Sequence, residues 1–106
     1  MNDNYRVYAK LFKALADETR LKIVDLLSGG EMCGCQLLDH FNITQPTLSY
    51  HMRILCDSGM VKGRRDGAWM YYSNISEVIE NLTYTLSAIK SQKAKYIGIE
   101  NTKASR

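Results

Sequence analysis

The stretch Glu31-Met32-Cys33-Gly34-Cys35-Gln36-Leu37-Leu38-Asp39-His40-Phe41 sets two thiols one glycine apart. Such a pair can be two small core residues, a redox couple, or soft jaws for a thiophilic ion, and the residue types leave all three open. Asp39 and His40 follow closely and have metal-ligating groups, but on a helix surface such residues are more often simply solvated. Cys56 stands alone and reads as a small buried hydrophobe. A second set suits nucleic acid. Gln45 can pair bidentately with adenine, Thr47 and Ser49 can bond to bases or phosphates, and Tyr50 and Arg53 stand beside them. Lys62, Arg64 and Arg65 suit phosphate or a minor groove. Enzyme chemistry lacks its usual parts: there is no C-x-x-C beside a βαβ pattern, no phosphate-cradling glycine loop and no evident cysteine-histidine-acid set.

Composition limits what can position these groups. A chain of 106 residues, 45% hydrophobic and 24% charged, makes one small globular domain. Its apolar runs are too short to span a bilayer and the start MNDNYRVYAK has no apolar signal segment, which points to the cytoplasm. Three cysteines, an odd number, then argue for reduced thiols rather than a disulfide framework. The net charge of +3 hints at nucleic acid only weakly. More telling is the clustering of basic residues between Arg53 and Arg65 and along the tail from Lys90.

Hydrophobic spacing predicts helices, then a hairpin, then a helix. Tyr5, Tyr8, Leu11, Phe12 and Leu15 mark a first amphipathic helix. Asp17 is placed to cap a second, whose Leu21, Ile23, Val24, Leu26 and Leu27 leave a thin polar strip and predict a central, buried helix ended by Gly29-Gly30. With Cys33 as N-cap, Cys33-Gly34-Cys35-Gln36 imitates a capping box in which sulfur replaces a hydroxyl, and Leu37, Leu38 and Phe41 face the core. Thr44 can cap the next helix, with Pro46 early in it and Leu48, Met52 and Leu55 as its inner stripe. Gln45, Thr47, Ser49, Tyr50 and Arg53 avoid that stripe and are free to enter a major groove, while His51 flanks it as a half-buried histidine. Two short helices with a three-residue turn make a helix-turn-helix. Met60 to Arg65, the turn Asp66-Gly67 and Ala68 to Ser73 then form a basic hairpin, a wing. A last helix starts near Asn74 or Ser76 and carries Ile75, Val78, Ile79, Leu82, Leu86 and Ile89. The expected fold is mainly α with a small β-hairpin, a winged helix-turn-helix in the order α-α-α-α-β-β-α. It occupies residues 1–96, and a disordered basic tail covers 97–106.

LFKALADETRLKIVDLL, the EMCGCQLL segment and ITQPTLSYHMRILCDSGMVKGRRDGAWMYY together resemble the ArsR/SmtB winged-helix repressors, within them the arsenic-responsive branch. The resemblance runs from about residue 8 to about residue 90. It implies a homodimer joined through the first and last helices, two recognition helices reading an inverted repeat of double-stranded operator DNA, and release when an inducer binds. The apolar faces of residues 5–15 and 75–89 agree with that, since they exceed what so small a core would cover.

The same family holds arsenite or antimonite on a segment with three cysteines. Cys33 and Cys35 match the first two, and Leu38 stands where the third would be. The resemblance therefore implies a site of two sulfurs, with the remaining place on a trivalent metalloid left to hydroxide, a buffer thiol or another residue. Cadmium- and lead-sensing branches add cysteines from an N-terminal arm that here has none. Zinc and nickel sensors place histidines and carboxylates on a last helix that here offers only Glu77 and Glu80. A helix N-terminus favours thiolate. Residues two apart on a continuous helix point to nearly opposite sides, so convergence on one ion is expected to require a loosened first turn, eased by Gly34. Capture would then replace the cap, tilt the helix and lift the recognition helix from DNA. A repressor whose Cys33 and Cys35 respond to oxidants or persulfides is the competing reading, followed by a cadmium or lead sensor.

Overall fold

The computed structural model describes residues 4–91, so the tail expected over 97–106 lies outside the described residues. The elements run α1 (Tyr5–Leu15), α2 (Glu18–Leu27), β1 (Met32–Cys33), α3 (Gly34–Leu38), α4 (Gln45–Ser58), β2 (Val61–Asp66), β3 (Trp69–Asn74) and α5 (Ser76–Ser91). This is the expected winged helix-turn-helix order with one addition, β1. Its two residues show no alternation to read; the strand exists because Met32 and Cys33 pair antiparallel with Tyr72 and Tyr71 far along the chain.

Side-chain caps mark the helix starts. Asp17 Oδ2 accepts from the N–H groups of Thr19 at 2.9 Å and Arg20 at 3.1 Å. Thr44 Oγ1 accepts from Thr47 N–H at 3.3 Å. Each cap satisfies donors that a helix cannot satisfy itself. At the other end of α4, Gly59 takes φ 92°. There its N–H donates to Cys56 O at 3.1 Å and Met60 N–H to Leu55 O at 3.2 Å, the paired bonds of a Schellman ending. Leu55 and Met60 are both fully buried, so the motif's usual apolar contact anchors the exit into β2 within the core.

The core gathers Leu11, Ile23, Leu27, Leu37, Leu48, Met52, Leu55, Met60, Val61 and Leu82. Contrary to the expectation of a central helix, α2 buries only Ile23 and Leu27, and Leu21 is exposed. So few neighbouring elements cover only one side of it. Asn74 Nδ2 donates to Val24 O at 3.0 Å and fastens the end of the hairpin to α2. The outer helices are poorly covered: among the residues of α5 whose burial is described only Leu82 is buried, while Tyr84, Leu86 and Ile89 are exposed, as are Tyr5, Val7 and Phe12 on α1.

The sheet order is β1-β3-β2, antiparallel throughout. The hairpin's register pairs Asp66 with Trp69, so its loop is Gly67-Ala68, one residue later than expected. Gly67 takes φ 65° while Ala68 keeps negative φ, which matches a two-residue loop with glycine first and lets Asp66 join the ladder. No helix among the described residues is long and apolar enough to cross a membrane.

Candidate functional site

Cys33 ends β1 in an extended conformation, φ −79° and ψ 157°, and its N–H donates to Gln36 Oε1 at 2.9 Å. That is the Gln36 half of the expected capping box. Cys35 is the second residue of α3. Because Cys33 lies before the helix rather than in it, the two side chains leave the same side of the chain. Their Cα atoms are 5.3 Å apart and the sulfurs are joined as a disulfide. Two expectations change here. The thiols are bonded to each other rather than reduced, and convergence needs no loosened helical turn, since the strand-to-helix step already provides it. Nor does Gly34 have to bend: a Cβ there would meet Tyr72 Cε2 at 3.7 Å, ordinary contact. With only five residues in α3, few peptide dipoles are available to favour thiolate.

Access to the sulfurs is unequal. Cys33 is buried, with 6% exposure, and Cys35 is exposed. Leu38, at the place of a third cysteine, is half-buried. Asp39 and His40 are exposed, and no group of three or more His, Cys, Asp or Glu side chains suited to a metal ion occurs among the described residues. The soft-donor set is therefore a pair. Cys56 is a free thiol packed against the core, and burial, with a smaller push from the Asp57 carboxylate, holds it above the ordinary thiol range.

On α4, Gln45, Thr47, Ser49, Tyr50 and Arg53 are all exposed, opposite the buried Leu48, Met52 and Leu55. Gln45, Ser49 and Arg53 follow at i, i+4 and i+8, one ridge along the helix. His51 is half-buried as expected, and Arg20 ties it down. The guanidinium donates through Nε to Ala14 O at 2.7 Å and lies 3.0 Å from His51 Nδ1 through Nη1. Arginine only donates, so Nδ1 accepts and the ring proton sits on Nε2. This links α4 to the start of α2.

The wing separates its cations by strand alternation. Arg65 faces a groove of about 490 Å³ between the wing, α3 and α4, which Cys35, Gln45, Ser49, Trp69 and Tyr72 also line. Lys62 and Arg64 lie on the other face. Arg64 is engaged: its Nε and Nη2 donate to the Glu31 carboxylate at 3.0 and 2.8 Å, and its guanidinium lies 4.8 Å from the Tyr71 ring centre. The hydrogen bond from Arg64 holds the Glu31 carboxyl below its usual range, and the same contact raises Arg64. Glu31 and Trp69 were missed in the sequence. Trp69 had one available signal, a large aromatic beside a hairpin turn; Glu31 had none.

Comparison with known proteins bears on the family and the fold. Residues 17–62 match the model of the bacterial regulatory proteins of the arsR family. An arsenical resistance operon repressor of Staphylococcus aureus is 37% identical over 94 residues, 89% of this chain and 90% of that protein. The solution structure of a homodimeric winged helix-turn-helix DNA-binding domain from Mycobacterium bovis, a possible ArsR-family regulator, superposes with a TM-score of 0.68 at 26% identity, covering 91% of this chain and 93% of that one. An ArsR-like regulator from Rhodococcus sp. RHA1 shares the fold with a TM-score of 0.80 at 22% identity, over 97% and 98% of the two chains.

Proposed function

The chain belongs to the ArsR family of bacterial regulatory proteins, DNA-binding regulators rather than enzymes, and from that premise we propose that it is a metalloid-responsive repressor. It binds an inverted-repeat operator in the cytoplasm as a homodimer and lets go when arsenite or antimonite is captured by Cys33 and Cys35. The observation that carries this reading is the convergence of the two sulfurs beside a groove shared by Gln45, Ser49 and Arg65. With both thiols reduced, arsenite, As(OH)3, condenses with two Cys S–H groups to give (Cys-S)2As–OH and two waters. Hydroxide keeps the third place, since among the described residues no third His, Cys, Asp or Glu side chain is grouped with the pair to hold a metal ion. Arsenical resistance repressors among the relatives support the inducer class.

Gln45, Thr47, Ser49, Tyr50 and Arg53 read the major groove, and Lys62 and Arg65 meet the backbone. The uncovered apolar side chains of α1 and α5 join two copies, which sets two recognition helices on a two-fold axis to match the repeat. Capture of the metalloid displaces Cys33 and the start of α3, and with them the wall of the groove facing α4. The coupling is reciprocal: operator DNA weakens metalloid binding by the same factor.

The test is fluorescence anisotropy on a candidate inverted repeat under reducing conditions, titrated with arsenite, for wild type, Cys33→Ser and Cys35→Ser. All three bind DNA, and only wild type releases it. Serine variants that release like wild type would place the inducer elsewhere. The disulfide supports a second reading, a redox-responsive repressor in which oxidation of Cys33 and Cys35 is the signal. Release by peroxide with no release by arsenite in the reduced protein selects it.

A further inference from the structure

We infer that Arg64 is a positioning residue held by Glu31 and Tyr71, through which the state of the Cys33–Cys35 pair sets the placement of the wing; it is not a phosphate contact. The inference rests on the reading that chemistry at these sulfurs governs operator binding. Three residues of the sheet form one row: Cys33 pairs with Tyr71 across β1 and β3, and Tyr71 with Arg64 across β3 and β2. The Arg64 side chain lies along that row. It crosses the Tyr71 ring at 4.8 Å and reaches Glu31, two residues before Cys33, with a bidentate pair of hydrogen bonds at 3.0 and 2.8 Å. Asp66 adds a carboxylate oxygen 3.7 Å from Nη1. The guanidinium thus gives two of its five N–H donors to Glu31, has a second carboxylate within ion-pair distance and rests a face on a ring, so a phosphate would have to compete with two carboxylates for it.

Both partners are partly exposed, at 53% for the Arg64 side chain and 38% for Glu31, so the contact adds little to global stability. Its geometry is what matters. A planar fork on a carboxylate, stacked on an aromatic, allows one arrangement, whereas a lysine would allow many. Arg65 follows Arg64 and points to the opposite face, into the groove with Cys35, Gln45 and Ser49. Any shift of Cys33 moves Glu31, which turns β2 through Arg64, and Arg65 moves against the recognition helix. Once a thiol reductant has supplied two electrons to the disulfide and two protons have made both sulfurs S–H, condensation with As(OH)3 releases two waters and sets the arsenic between them. The sulfurs then stand further apart than when bonded to each other, and β1 ends at one of them.

The experiment uses the full chain and operator DNA. Affinity is measured against salt for wild type, Arg64→Gln and Arg65→Gln, and with and without arsenite for wild type, Glu31→Gln, Arg64→Gln, Arg64→Lys and the double variant Glu31→Gln/Arg64→Gln. Arg65→Gln flattens the dependence of log K on log salt by about 0.9 for each phosphate it no longer neutralises, and Arg64→Gln leaves that slope as it is. The arsenite-driven loss of affinity shrinks by about threefold or more in Glu31→Gln, Arg64→Gln and Arg64→Lys. The double variant loses no more than either single. An Arg64→Gln slope as flat as that of Arg65→Gln makes Arg64 a phosphate contact and overturns the assignment. So does a full arsenite response in the Glu31 and Arg64 variants, or in Arg64→Lys alone. If wild type ignores arsenite but loses DNA on oxidation, the metalloid reading fails alone, and the same comparison is made between oxidised and reduced protein. A wild type indifferent to both removes both claims.

Discussion

Two helix entrances in this molecule share a backbone conformation, and oxygen stands at one where sulfur stands at the other. Thr44 enters α4 at φ −82°, ψ 162°, and Cys33 enters α3 at φ −79°, ψ 157°. At Thr44 the hydroxyl does the whole of a cap's work: Oγ1 accepts from Thr47 N–H and donates to Thr47 Oγ1 at 3.0 Å. At Cys33 the sulfur is bonded to Cys35, and Gln36 closes the entrance from the other side by accepting the Cys33 N–H. A hydroxyl at this position is chemically quiet and fixes the start of α4, the helix proposed to read DNA. A sulfur at the matching position hands the capping task to its neighbour and stays available for redox or metalloid chemistry. On the proposed function, the helix that reads DNA and the helix that responds to the inducer thus differ in which residue holds the first turn.

The largest expected effect tests whether the sulfurs are the responsive element. Under reducing conditions Cys33→Ser and Cys35→Ser abolish an arsenite-driven loss of operator affinity that in wild type is about tenfold or more, read by anisotropy. Next comes the quiet entrance: Thr44→Ala lowers unfolding free energy by about 1 kcal/mol in urea denaturation, whereas Cys33→Ser, which keeps the Gln36 bond and supplies a good capping residue, loses less. A third entrance extends the comparison to charge. The Arg20 N–H bond to Asp17, helped by the Arg20 charge, holds the Asp17 carboxyl below its ordinary value. A depressed carboxylate stabilises above its unfolded pKa and stops doing so as pH falls through the folded one. The thermal advantage of wild type over Asp17→Asn therefore persists down to about pH 4 and is lost as pH falls further. The smallest effect belongs to Gly34→Ala: with ordinary contact to Tyr72 and no positive φ, it shifts stability by no more than about 0.5 kcal/mol and leaves the arsenite response intact. A lost response there would restore glycine's flexibility as a requirement of the sulfur site.

Much of this was legible in the residues. Asp17 and Thr44 announce their helices through oxygen placed three residues ahead of waiting N–H groups, and Leu48, Met52 and Leu55 repeat at helical spacing, so the exposed Gln45, Ser49 and Arg53 ridge follows from the period. His51 was readable as half-buried for the same reason. The hairpin was readable to within one residue. Its frame was not, because either Asp66-Gly67 or Gly67-Ala68 puts glycine where a turn needs positive φ, and the choice is made by which pairing lets Val61 reach the core and Asp66 reach Trp69.

What the sequence determined by itself, then, is everything governed by neighbours within a turn or two: helix starts and stops, inner stripes, the polar reading face, and the C-x-C pair. Tertiary structure alone decided what depends on strands meeting across the chain. β1 exists only because Tyr71 and Tyr72 come to it, and that pairing holds Cys33 extended so that its sulfur meets that of Cys35. The same sheet brings Arg64 to Glu31 rather than leaving it to solvent, and sends Arg65 into the groove. A local pattern fixes a side chain's direction relative to its own element, but a partner from a distant segment is chosen by the packing of the whole core, and no spacing in the chain records that choice.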